Sequence, residues 1–148
     1  MGRKPEMRLI AGLCLALIAA LWMVGIEASQ PMRHFVQTSP IWIAVVLALR
    51  GDSVGKWVAL PFFLFWLLSM VLIWLFLVGW AQFITGRFTR IEIILTLLIG
   101  AVSFAGTIGC IRFKSLTGWV GATALFIVSV AIQVAALRVS MLPGIAHR

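Results

Sequence analysis

The chain reads as an all-α fold, a polytopic transmembrane helix bundle with five helical segments. Three observations carry that reading. Sixty-three percent of the 148 residues are apolar, against roughly 45 to 50 percent in average usage, and the mean hydropathy is +1.14. One core of this size cannot enclose so much apolar surface, so the excess faces lipid. The charged residues stand at the edges of long uncharged runs. No stretch shows strand-like alternation, a long polar insert or a low-complexity tail. Residues 1–148 therefore read as a single integral membrane domain, with helices at about 8–26, 31–50, 58–85, 90–112 and 117–139.

Hydrocarbon offers no water to satisfy backbone groups, so each run must be helical. About twenty residues at ~1.5 Å each cross the roughly 30 Å core. In the first segment, Leu9 to Ile26 gives 18 uncharged residues after Arg3, Lys4 and Arg8. A signal peptide would have an apolar region of roughly 7 to 15 residues and a small-x-small end. Ile26-Glu27-Ala28 fits that poorly, so a retained helix is expected.

The second segment, 31–50, leaves two readings open. One is a kinked span in which Pro31 starts the helix and Pro40 bends it. The other is a re-entrant, half-membrane helix with Ser39 as N-cap and Pro40 at the first helical position. Counting bases by side gives seven against five whether the chain crosses four times or five, so the positive-inside rule does not choose. A kinked helix satisfies its own backbone whereas a re-entrant one needs protein cover, which favours five.

In the third segment Lys56 and Arg87 enclose 30 uncharged residues, and Pro61 suits the first helical position, where its missing N–H costs nothing. Its aromatic side chains occur on all faces. The fourth segment begins at Thr89-Arg90-Ile91-Glu92, a Ser/Thr-x-x-Glu capping box, so Glu92 has a structural role, and 19 uncharged residues follow before Arg112. The fifth has 23 between Lys114 and Arg138, with Trp119 placed where an interfacial indole belongs. Arg50-Gly51-Asp52 is a turn signal.

Helices in lipid associate through close backbone approach, which small residues four apart permit. Gly12, Ala16 and Ala20 form one such ridge and Ala101, Ala105 and Gly109 another. They point to packing of the first helix on the fourth segment, or of one ridge on a second copy or another subunit. Gln133, deep in the last helix, is expected to hydrogen-bond to a neighbouring helix.

The net charge of +8 does not indicate nucleic acid, because the bases mark every run boundary instead of gathering in one patch. Cys14 and Cys110 lie within apolar stretches and read as buried thiols. The four acids, Glu6, Glu27, Asp52 and Glu92, are scattered. Neither paired carboxylates nor a nucleophile with a nearby base is present, so the reading leans away from an enzyme. No metal site and no cofactor is expected; His34 and His147 as haem ligands would need facing helices at matching depth.

The one polar concentration is residues 27–39, where Glu27, Arg33, His34, Gln37, Thr38 and Ser39 lie between two apolar runs. Depth makes the charged members interfacial and a plain connection the simpler account. The functional alternative is a shallow water-filled mouth for a headgroup or small polar solute, with His34 near a carboxylate titrating around neutral pH. The leading expectation is a small multi-span accessory, structural or assembly subunit contacting another membrane protein or lipid. The alternative is a minimal oligomeric transporter or channel working through 27–39. Compactness and the missing transit-type leader suggest a bacterial inner membrane.

Overall fold

In a computed structural model the described residues, 3–80, 88–114 and 117–146, are helical wherever they form regular structure. In chain order the helices are α1 (Arg3–Glu27), α2 (Pro31–Thr38), α3 (Ile41–Leu49), α4 (Val54–Leu77), α5 (Arg90–Arg112), α6 (Trp119–Ser140) and the short α7 (Pro143–Ala146). By length and composition, α1, α4, α5 and α6 are long and apolar enough to cross a membrane, and α2 with α3 make a fifth if the bent pair is one span.

Three helices end in the same way. After α1, α3 and α4 one residue takes the left-handed conformation, at Ser29 (φ 54°), Gly51 (φ 75°) and Gly79 (φ 80°). The amide beyond it reaches back to a carbonyl five residues earlier: Gln30 to Gly25, Asp52 to Leu47 and Trp80 to Leu75. Each is a Schellman motif, which satisfies otherwise orphaned carbonyls and turns the chain sharply. At the start of α5 the capping box is complete. The Glu92 amide donates to Thr89 Oγ1 (3.2 Å) and the Thr89 amide to Glu92 Oε2 (2.7 Å).

α4 differs from the expected 58–85. It begins at Val54, whose amide donates to Asp52 Oδ1 (2.9 Å), so Pro61 lies inside the helix instead of at its start. The chain turns at Gly51 and re-enters helix at once, which places Pro61 two turns in. The Schellman turn at Gly79 then ends α4 at Leu77; residues 81–85 of the expected helix lie outside the described residues.

The 31–50 segment is broken, with α2 and α3 meeting at 48°. Ser39 does not cap α3: its hydroxyl donates back to Val36 O (2.8 Å), and Pro40 occupies the N-cap position. The two pieces together retrace α1. Thr38 accepts from the Trp22 indole (2.9 Å), and Arg50 shares a small recess with Arg8. Pro31 and Arg50 thus lie at opposite ends of α1.

α1 packs against α2, α3, α5 and α4, while α6 leans on α4 and α2. The buried face of α1 carries Ile10, Cys14, Leu17 and Leu21, spaced as one helical stripe. Gly12 and Ala16 stand about half a turn away and are exposed, as are Ala101 and Ala105; Ala20 and Gly109 are buried. Small side chains do set the closest contacts, but at other positions. A Cβ at Gly55 would lie 2.9 Å from the Ala48 amide nitrogen, and one at Gly106 would lie 2.5 Å from the Phe63 ring.

Candidate functional site

The six polar residues of 27–39 do not face one mouth; helical spacing over α2 distributes them. His34 and Thr38, four apart, face α1: Thr38 accepts the Trp22 N–H, and the His34 side chain covers Gly25 so closely that a Cβ there would meet its Cβ at 2.9 Å and its ring at 3.0 Å. Gln37 turns toward α6 and donates to Ser140 Oγ (3.0 Å), while Gln133 of α6 donates to the Gln37 carbonyl (3.3 Å). Arg33 donates to Gln30 Oε1 (3.0 Å). Ser39 is exposed, and Glu27, also exposed, stands 3.5 Å from Thr89 Oγ1.

His34 nevertheless lines a cavity. About 90 Å³ in volume, it lies between α1, α2, α4 and α5 and is bounded by His34, Trp66, Phe88, Glu92 and Thr96 among others. The carboxylate that shares a space with His34 is thus Glu92, whereas Glu27 belongs to the α1 end. His34 Nδ1 is 3.2 Å from the Gln30 carbonyl, which can only accept, so a neutral ring carries its proton there and leaves Nε2 as an acceptor. Thr96 donates to Ile93 O (2.7 Å), which leaves its hydroxyl oxygen able to accept. Trp66 supplies a donor: its indole N–H is buried and has no acceptor among the described residues. Such a volume admits several waters, each needing two to four polar partners.

Glu92, Thr96 and Trp66 were not singled out as site residues by sequence reasoning. The available signal was Glu92-x-x-x-Thr96, four apart on one helix face, but the capping role had already accounted for Glu92. Trp66 was one of many aromatics in an apolar run, and only the packing of α4 beside α5 selects it.

At the other end of the bundle Lys56 is buried, 4% exposed. Its ammonium donates to the Phe113 carbonyl just past the end of α5 and lies 4.7 Å from the Trp57 ring centre. The negative end of a helix dipole suits that cation.

A larger concavity lies elsewhere. An outward-facing groove of about 560 Å³ runs between α4 and α5, lined by Leu67, Met70, Val71, Trp74, Leu75, Val78, Leu97, Gly100, Ala101 and Phe104. Every lining side chain is apolar. Among the described residues no group of three His, Cys, Asp or Glu is arranged to hold a metal ion. No known protein family, curated protein or solved structure matches the chain.

Proposed function

We infer that the chain is a small multi-pass integral membrane protein, crossing a plasma membrane five times, that serves as an accessory or structural subunit contacting a larger membrane protein or lipid. One contrast carries the reading. The buried side chains Gln37, Thr38 and Ser140 and the amide nitrogen of Gln133 bond to one another, to the Trp22 indole or to backbone, whereas a concavity of about 560 Å³ between α4 and α5 is apolar and opens outward. A solute pathway needs intramembrane polar or charged groups turned to a water-filled space. A scaffold needs its polar groups turned inward as interhelical ties and its apolar surface outward. With five crossings, Arg8, Arg50, Lys56, Arg112 and Lys114 gather at one end, the cytoplasmic end by the positive-inside rule.

A second reading, a minimal oligomeric transporter for a small polar solute, draws support from the His34–Glu92–Trp66 cavity alone. Purifying the tagged protein in mild detergent and measuring the assembled mass separates the two. A stoichiometric larger membrane protein supports the subunit reading. A homo-oligomer free of other protein, whose solute uptake in vesicles is lost in His34→Ala, overturns it in favour of transport.

A further inference from the structure

We propose that the α4–α5 groove is a site for one acyl chain of an anionic phospholipid, whose phosphate lies against Arg90 in the leaflet at the Glu27 end of the bundle. The inference rests on the membrane reading above and names the lipid.

Three features support it. The first is length. The groove extends along α4 from Leu67 to Val78, about 16 Å at the helical rise, which matches half of the roughly 30 Å hydrocarbon core. It therefore serves one leaflet. The second is width. The groove's space of about 560 Å³ over that length lies between two adjacent helices and stays open on its outer side, narrow for a third helix ~10 Å across. A single methylene chain is the better occupant of a slot whose floor is Gly100 and Ala101.

The third is the charge at its mouth. Met70 lies level with Gly100, and Phe63 with Gly106, so each step along α4 is matched by a step back along α5. Continued to the end of α4, that register puts Leu77 about level with Ile93, so Arg90, one turn nearer the start of α5, lies just beyond the groove's last lining residues on α4. Arg90, Leu97 and Phe104 are seven apart and share one face of α5, so the guanidinium is on the groove side. Arg90 is exposed and forms no ion pair among the described residues. Trp80, 85% exposed, has the amphipathic ring that favours headgroup depth. Glu92, two residues on, is turned to the His34 cavity and bonded to the Thr89 amide.

Native mass spectrometry of the detergent-purified protein tests this, with phosphatidylglycerol and phosphatidylcholine of identical chains as probes. The wild type should retain one phosphatidylglycerol about fivefold more than phosphatidylcholine, the preference one basic residue at the surface provides. Arg90→Gln should reduce that preference to near equality. Ala101→Leu, at an exposed position that leaves the core intact, should lower retention of both. As a second measurement, phosphatidylglycerol brominated on its acyl chains should quench emission in the wild type that is missing from Trp74→Phe. Equal retention of the two lipids by the wild type overturns the proposal. So does a dimer that Ala101→Leu disrupts, which would assign the groove to a second copy. If alkaline washing strips the protein from membranes, the membrane reading itself has failed; if it stays embedded but shows no lipid preference, only the lipid site has.

Discussion

The side-chain amide of Gln37 donates to the hydroxyl of Ser140 across 103 residues of sequence, at 3.0 Å. That bond ties the broken α2–α3 pair to the end of α6, and Gln133, two turns back on the same face of α6, adds a second tie to Gln37. α6 is otherwise the most exposed of the long helices; its buried residues are Ala122, Ser129, Gln133 and Ser140. Its seat on α2 thus depends on polar contacts more than on packed apolar side chains. In lipid this is expected, because hydrocarbon gives no hydrophobic drive between helices.

Replacing Gln37 by Met, which keeps the shape and removes the donor, is expected to destabilise the bundle by about 0.6 to 1.7 kcal/mol, the range of interhelical hydrogen bonds within membranes. The check is a double-mutant cycle with Ser140→Ala, read by unfolding in mixed micelles. The coupling between the two sites should account for most of the single-mutant loss. Independent, additive effects would mean that the bond contributes nothing.

Gly106 and Gly12 should behave in opposite ways. A Cβ at Gly106 would penetrate the Phe63 ring, while one at Gly12 would meet nothing within 4 Å. Gly106→Ala is therefore expected to cost about 1 to 3 kcal/mol through overpacking, and Phe63→Leu in the same chain should recover part of it. Gly12→Ala should be neutral, or stabilising by about 0.5 to 1 kcal/mol through the better helix propensity of alanine. Thermal unfolding of the three variants in one detergent decides it.

Glu92 has two neighbours of different kinds, the Thr89 amide and the His34 cavity. Glu92→Ala should destabilise by about 1 kcal/mol by opening the capping box. Glu92→Gln keeps the acceptor for the Thr89 amide and should cost little, while it removes the negative charge beside His34. If both substitutions cost the same, the carboxylate is held by something other than the cap.

What could be read from the sequence was whatever depends on neighbours along the chain. The capping box at Thr89 and the turn at Gly51 are local patterns, and charge-free length alone gave the helical class. The limits of α4 were misplaced because two local rules competed there: Pro61 fits a helix start, but Asp52 had already capped Val54, and Gly79 carries no charge to mark a stop inside an apolar run. The packing faces required tertiary knowledge. Small residues lie on both sides of α1 and α5, and only the seating of Phe63 over Gly106 shows which ones meet a neighbour. His34 stood out by its chemistry, whereas its companions Trp66 and Thr96 come from helices whose adjacency no spacing rule encodes.

The path of 31–50 gives the most direct test of the whole arrangement. Met32 begins the pair beside the end of α1, and Arg50 ends it beside Arg8. With one broken crossing, Met32→Cys and Arg50→Cys should react with a membrane-impermeant maleimide from opposite faces of sealed vesicles. Both positions are exposed, and the native Cys14 and Cys110 are buried at 0% and 1% exposure, so background labelling should be small. The break itself accommodates Pro40 between the two helices. The Ser39 amide and hydroxyl both donate to the Val36 carbonyl, the acceptor that Pro40, lacking an N–H, cannot serve in hydrocarbon. Labelling of both cysteines from one face would make the segment re-entrant, reduce the crossings to four and move the last residues of α6 to the side of the N-terminus.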